Sequence, residues 1–304
     1  MKTIKRHFRT LFQIIFTALT NGYLVGFAKG KIFQGSSKVV CVPGLNCYSC
    51  PGALGSCPIG SLQSALAGFD RSFPYYVVGL LMLFSVVLGR FVCGFLCPFG
   101  LVQDLLHKIK VPKMKMPKKL DAVLRYVKYG ILIVFVIILP LSLVDDFGMG
   151  SPAFCKWICP SGTLLGGIPL VATNEGLQDI IGILFNWKLS LLIILLICST
   201  FIYRPFCKYL CPLGGIYGLF NRFSLYTMKV DEEKCIHCKK CEKACKMNVQ
   251  VLKNINSAEC IRCGECQHAC PTQCISSGFD FLKKNLKPME NTQNPKKTVV
   301  EMQK

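Results

Sequence analysis

Four apolar stretches, at 10–28, 73–92, 126–144 and 185–203, alternate along this chain with short polar joints rich in Pro, Gly and Cys. Crossing a bilayer takes about 20 apolar residues, and roughly 17 suffice where flanking Lys and Arg snorkel. The pattern therefore predicts an α-helical membrane protein with about four transmembrane helices. Two of the spans are short between charges: 16 uncharged residues separate Lys128 from Asp145, and 15 run over 189–203 beyond Lys188. The first follows Lys2, Lys5, Arg6 and Arg9 and precedes Lys29 and Lys31 with no small-residue cleavage pattern, so it reads as an uncleaved anchor. The apolar part ends near 225, and residues 281–304, rich in Lys, Asn and Gln, predict a disordered basic tail.

Composition agrees: 52% of the 304 residues are hydrophobic and 17% charged, against roughly 25% charged in soluble domains. Lys and Arg outnumber Asp and Glu by 36 to 16, but these charges flank the apolar runs and no nucleic-acid module is visible, so no nucleic-acid partner is expected. The loop from Arg90 to Lys128 holds nine basic residues against Asp104 and Asp121, whereas Asp145 to Lys188 holds two against four acidic ones. By the positive-inside rule both termini face the cytoplasm, as in a multi-pass protein of the cytoplasmic (inner) membrane. The loop 29–72 carries Lys29, Lys31, Lys38 and Arg71, which weakens that asymmetry. All four histidines, His7, His107, His237 and His268, lie outside the spans, so no imidazole pair is available for an intramembrane haem b.

Twenty cysteines exceed what packing needs, and their clustering before prolines argues against a secreted disulfide framework. Cys235-Ile-His-Cys238-Lys-Lys-Cys241-Glu-Lys-Ala-Cys245 and Cys260-Ile-Arg-Cys263-Gly-Glu-Cys266-Gln-His-Ala-Cys270 share the spacing C-x2-C-x2-C-x3-C. In two-cluster ferredoxins the first three cysteines of such a run hold one cubane and the fourth crosses to the other. One [4Fe–4S] cluster is then expected on Cys235, Cys238, Cys241 and Cys270, and a second on Cys260, Cys263, Cys266 and Cys245. Paired zinc sites do not need eight cysteines in this doubled order. A small α+β ferredoxin-like domain is expected over 231–276, with Cys274 a bystander.

The apolar part has its own repeat. C-x3-C-P occurs at Cys93/Cys97, Cys155/Cys159 and Cys207/Cys211, and Cys-Pro-x-Gly at 57, 97, 159 and 211. The membrane domain, 1–225, thus divides into halves of about 10–112 and 120–222, each a span, an outer Cys-Pro-x-Gly, a second span and an inner one. Proline suits the first turn of a helix, so each motif-ending cysteine should sit at a helix start, where free N–H groups favour an anionic iron–sulfur core. The topology places Cys93, Cys97, Cys207 and Cys211 together on the cytoplasmic side, enough for one cubane. Six candidates for four places lie opposite: Cys41, Cys47, Cys50, Cys57, Cys155 and Cys159. Cys57 corresponds to Cys97, and Cys50 or Cys47 must stand in at the place of Ala53; alternatively the four from 41 to 57 act alone, or leftovers form a disulfide. Cys198, within a span, reads as packing.

Over roughly 75–275 these motifs resemble the membrane-bound polyferredoxin family, which includes the quinol-dehydrogenase subunit of periplasmic nitrate reductase, the nitrous-oxide reductase maturation protein and the cytochrome oxidase assembly ferredoxin. The resemblance rests on Cys93/Cys97, Cys207/Cys211 and the eight ferredoxin cysteines, and implies a four-span electron carrier with cytoplasmic clusters. The chain departs from it in the third motif, Cys155/Cys159, in the cysteine-rich loop 41–57, and in Lys246, which stands where proline usually follows the fourth cysteine.

The expected function is transmembrane electron transfer as a subunit of a larger oxidoreductase, between redox partner proteins on one or both sides of the bilayer, with a quinone or flavin contact as a further way to bridge its thickness. A quinol dehydrogenase feeding a reductase, or a redox sensor or assembly factor for one, are the alternatives. Four clusters of formal charge −2 would bring the net charge from +20 to about +12. No acid–base pair or nucleophile marks a separate catalytic site.

Overall fold

The computed structural model describes residues 2–68, 73–114, 116–144, 149–179 and 181–279; the tail expected at 281–304 lies outside them. The described residues are mostly helical, with one two-stranded sheet.

Among them two helices are long and apolar enough to cross a membrane, Lys119–Ser142 and Ile183–Phe201. Only 17% of each apolar window is buried inside the protein, the reverse of a soluble core helix, so these side chains face outward to whatever surrounds the fold. Two shorter apolar helices, Phe8–Thr20 and Tyr75–Val87, stand at the other expected spans. Tyr75–Val87 has 13 residues, or about 20 Å at 1.5 Å per residue, well short of a hydrocarbon core of about 30 Å, whereas Phe8–Thr20 is the apolar part of a 19-residue helix. The stretch 10–28 is not one helix. Lys2–Thr20 stops at Asn21, whose side chain bonds back to the Thr17 carbonyl, and a new helix runs over Leu24–Lys29. Close packing holds that break: a Cβ on Gly26 would stand 2.3 Å from the Pro51 carbonyl oxygen.

Prolines shape the longer elements. Pro140 lies inside the helix that begins at Lys118, where it can donate no hydrogen bond and would crowd the carbonyl four residues earlier; the helix widens to π geometry over Leu132–Ile138 before resuming to Ser142. Thr163–Gly167 widens in the same way ahead of Pro169.

Every Cys-Pro-x-Gly begins a helix, at Pro58, Pro98, Pro160 and Pro212, with Cys57, Cys97, Cys159 and Cys211 as N-caps. At Cys159 and Cys211 the thiol accepts the N–H of Gly162 and Gly214 at 3.4 Å, as a Ser or Asp cap would. Pro98–Leu106 is wedged between the first helix and Ile183–Phe201, burying Phe99 and Gln103 while Leu105 stays exposed.

The C-terminal part closes on an antiparallel pair, β1 (Tyr226–Val230) with β2 (Ile275–Phe279), in register Tyr226 to Phe279. The sheet thus starts ahead of the 231 boundary read from the cysteines. The short helices Lys240–Ala244 and Glu265–Ala269 each lead into the last cysteine of a run.

Candidate metal centres

Both ferredoxin-type runs wind through left-handed backbone at matching places. His237 and Lys239 in the first, and Arg262 and Gly264 in the second, have φ of 51°, 57°, 54° and 79°. Non-glycine residues adopt this region at a cost of roughly 1–2 kcal/mol each. Its recurrence at the same two steps marks loops wrapped so that successive N–H groups turn to one side, a geometry that suits an anion. Cys235, Cys238, Cys241 and Cys270 line one cleft. Cys245, Cys260, Cys263 and Cys266 line another, walled by Met228, Met247, Val249 and Ile261. Burial pushes the Cys260 thiol up to about 12, so at neutral pH it gives up its proton only to a metal. Clefts that each gather one of the expected sets of four thiols fit an iron–sulfur cluster. Cys274 is the fifth thiol of the first cleft, its Sγ 3.4 Å from that of Cys270.

In the helical part, Cys93, Cys97, Cys207 and Cys211 are all buried and within electrostatic reach of one another. Two arginines hold them crosswise. Arg90, three residues before Cys93, donates to the Cys207 carbonyl at 2.9 Å; Arg204, three before Cys207, donates to the Cys93 carbonyl. Both guanidinium groups are wholly buried, and each has a carboxylate: Arg90 pairs with Glu259 at 2.7 Å, and Arg204 binds Asp104 through two nitrogens at 2.6 and 2.7 Å. Gln103 closes the arrangement by accepting the Phe206 N–H at 3.2 Å and donating to Cys207 Sγ at 3.1 Å.

This site is the dock for the C-terminal domain. Glu259 bridges Arg90 and the buried Lys128. The two cations hold its carboxyl at about 2, against the burial that opposes its charge. Arg262 donates to the Leu88 and Asn221 carbonyls, and the Asn221 side chain to those of Ser257 and Cys260. A Cβ on Gly94, between Cys93 and Cys97, would lie 2.5 Å from the Ile261 carbonyl oxygen. The second cysteine run therefore sits directly against the Cys93–Cys97 turn.

Cys57, Cys155 and Cys159 converge with Cys47 on a cavity of about 340 Å³. Lys188 lines it too and donates to the Cys155 carbonyl at 3.2 Å. Cys41, whose thiol bonds the Ser61 hydroxyl at 3.5 Å, and the fully buried Cys50 are not among its lining residues. Gln63 accepts the Phe154 N–H at 3.0 Å and donates toward Cys155 Sγ at 3.5 Å, just as Gln103 does at Phe206 and Cys207. Cys198 is half-buried in its helix.

Sequence reasoning missed Arg90, Arg204, Gln63, Gln103 and Lys188. A signal existed for four of them: R-x2-C-x3-C-P-x-G starts at both 90 and 204, and Gln follows Cys57 and Cys97 by six residues.

Known proteins share these sequences. A 4Fe-4S binding domain family matches residues 73–119, 127–173 and 184–226, and a 4Fe-4S dicluster domain family matches 227–271. A protein of Methanocaldococcus jannaschii is 32% identical over 208 residues, covering 68% of this chain and 79% of its own length. The methylamine utilization ferredoxin-type protein MauN of Paracoccus denitrificans is 30% identical over 64% of this chain and 62% of its own. The ferredoxin-type protein NapH of Haemophilus influenzae is 28% identical over 58% of this chain and 54% of its own. No solved structure matches. With a 4Fe-4S binding domain matched three times and a dicluster domain once over most of its length, the chain belongs to the polyferredoxin-like family of 4Fe-4S electron-transport proteins.

Proposed function

We propose that the protein is a four-span carrier that moves electrons between a redox partner in the cytoplasm and an acceptor within or beyond the membrane, with both termini cytoplasmic. The observation that carries this reading is the direct seating of the second ferredoxin run on the Cys93–Cys97 turn, through Gly94 and Ile261. [4Fe–4S] clusters on these thiolates supply one-electron capacity at each place along the path.

The chain's own residues give that path its order. Cys238 is exposed, so the first ferredoxin cleft faces a soluble partner, and Lys239, Lys240 and Lys243 beside it favour an acidic one. Cys245, Cys260 and Cys263 pack against the apolar core that also contains Cys93, Cys97, Cys207 and Cys211, so the second cleft faces the membrane part. Arg90 and Arg204 offset negative charge at the buried thiolates, and the Glu259 bridge fixes the spacing between the two parts. The short helix Tyr75–Val87 supports the reading as well: at 13 residues it reaches only about 20 Å of a hydrocarbon core of about 30 Å, so the loop that follows it dips toward the membrane interior.

The test is electron transfer across a vesicle wall. The purified chain is placed in liposomes enclosing ferricyanide, and a reduced soluble ferredoxin or flavodoxin is added outside. Ferricyanide loss that depends on the protein and disappears in Cys93→Ala, while the ferredoxin-domain signal of that variant is still reduced, is the expected result. Equal ferricyanide loss with Cys93→Ala overturns the reading.

A further inference from the structure

The inference concerns the far end of this path and rests on the electron-carrier reading. We propose that Cys47, Cys57, Cys155 and Cys159 form a fourth [4Fe–4S] site in the cavity they line, held next to the buried Cys93/Cys97/Cys207/Cys211 set rather than across the bilayer from it, and that Cys41 and Cys50 take no part.

The correspondence between the two membrane sites carries the argument. Gln63 donates to the Ile59 carbonyl at 3.4 Å and toward Cys155 Sγ at 3.5 Å, and accepts from the Phe154 N–H at 3.0 Å. Gln103 repeats all three bonds, to Phe99, Cys207 and Phe206, at 3.5, 3.1 and 3.2 Å. Cys57, Cys155 and Cys159 thus occupy the places of Cys97, Cys207 and Cys211. The place of Cys93 falls on Ala53, which has no donor. Cys47 supplies it: its Sγ lies 3.7 Å from where a Cβ on Gly162 would stand, over the cap that Cys159 makes.

The ligand class follows from the donors and their spread. Soft thiolates select iron–sulfur clusters, zinc or copper(I). Among the described residues no three His, Cys, Asp or Glu side chains converge closely enough for one metal ion, and this holds for the ferredoxin clefts as well. A cubane takes one thiolate at each iron corner, so its four sulfurs stand apart around a volume, as they do around this cavity of about 340 Å³. Lys188 and Lys156 line the cavity and offset the negative charge such a cluster brings.

The loop 43–47 supplies the contact with the inner site. The Leu45 backbone lies in electrostatic reach of the Cys97 thiol, and Leu45 also lines the cavity. Cys47 is two residues further, at most about 7 Å of chain. Gly44 presses against the Leu96 carbonyl and Cys97, where a Cβ would meet them at 2.7 and 3.1 Å. The Tyr217 hydroxyl donates to the Pro43 carbonyl at 2.8 Å, and it is in electrostatic reach of Cys57 as well as of Cys93, Cys97 and Cys211. Two sites joined by one buried turn and one tyrosine do not face each other across the roughly 30 Å of a hydrocarbon core.

The experiment is iron and acid-labile sulfide analysis with electron paramagnetic resonance on the full chain purified without oxygen, comparing Cys47→Ala, Cys155→Ala, Cys41→Ala, Cys50→Ala and Cys93→Ala. The intact chain is expected to hold about sixteen irons. Cys47→Ala and Cys155→Ala should each lose about four of them, with the ferredoxin-domain signals unchanged as the check on folding, whereas Cys41→Ala and Cys50→Ala keep all of them. Broadening of the reduced signal by a neighbouring spin, relieved in Cys47→Ala, would support the close spacing. Full iron in Cys47→Ala, or loss of four in Cys41→Ala or Cys50→Ala, overturns the assignment. An intact chain with about twelve irons, four of them lost in Cys93→Ala, removes the fourth site and leaves the carrier standing; about eight irons, unchanged in every variant, overturns both.

Discussion

The Cys93/Cys207 and Cys57/Cys155 regions are two versions of one device. Each has a glutamine spanning the halves and cysteine N-caps followed by proline, but their charge differs. The first contains two wholly buried guanidinium groups, each tied to a carboxylate; the second has Pro152 where the arginine would stand and takes a half-buried lysine from a neighbouring helix. Buried Arg is held in place by bidentate or bridging carboxylates, and here one of those, Glu259, belongs to the other domain. The comparison teaches that the repeat unit builds the thiol frame, while the added charges decide what the frame connects to. One region is plugged into the ferredoxin-like domain, and the other lines a cavity of about 340 Å³ away from it.

Breaking the Glu259 bridge should separate the two regions most sharply. Glu259→Gln leaves Arg90 and Lys128 buried with no carboxylate, a loss of roughly 3–5 kcal/mol, visible as a lower unfolding midpoint and faster proteolysis between the domains. The Cys57/Cys155 region, which has no part in the bridge, should keep its accessibility to thiol reagents. A pH dependence follows with a definite sign. The folded-state pKa is depressed to about 2, so the bridge contributes fully above the ordinary carboxylate range, near 4.3, and is lost as pH falls through that range toward 2. Domain separation followed by proteolysis should therefore be flat from pH 7 to 5 and rise below, and Glu259→Gln should flatten the rise.

Gly94 tests the same contact with a single methyl. The residue after the first cysteine is Gly94 in one motif and Lys156 and Lys208 in the others, and it is Gly94 that lies against the Ile261 carbonyl. Gly94→Ala should cost about 1–3 kcal/mol by forced displacement and slow reduction of the membrane part in stopped-flow absorbance. Replacing Lys156 by Ala, in a motif that does not meet Ile261, should leave the stability unchanged.

The glutamines sharpen the likeness rather than the difference. Gln103→Leu and Gln63→Leu each strand a buried N–H, of Phe206 and Phe154, at roughly 1–3 kcal/mol. Similar losses in thermal unfolding would show that the two frames are equivalent. A loss at Gln103 alone would mean that the Cys57/Cys155 frame is held by something other than its glutamine.

The sequence made some of this plain and hid the rest for physical reasons. Cys-Pro helix starts were legible because proline acts locally, on its own φ and missing N–H. The sorting of ferredoxin cysteines into two groups followed from spacing alone. The break at Asn21 was not legible, since it depends on Pro51 pressing on Gly26, and apolar composition continues straight through it. Arg90 and Lys128 were read as charges that orient a loop, yet both are buried against a glutamate more than a hundred residues away. Hydropathy counts every cation alike, and only the fold separates one that faces water from one that docks a domain. Choosing among the six outer cysteines likewise needs to know which side of a turn lines the cavity.

The smallest effect concerns Lys188. Its ammonium caps the Cys155 carbonyl at 3.2 Å, a half-buried place on a helix that is otherwise uncharged. Because water still reaches it, Lys188→Met should change stability by less than about 1 kcal/mol, much less than the loss of a wholly buried arginine. Its effect should instead appear in chemistry at the cavity. Removing the one cation contributed by this helix leaves negative charge there less compensated, so the reduction midpoint of the Cys57/Cys155 region should fall while that of the ferredoxin domain stays put in the same redox titration. If both midpoints hold still, Lys188 is a structural tie and the charge contrast between the two regions has no electrochemical consequence. If only the first moves, the two frames differ in potential because they differ in buried cations.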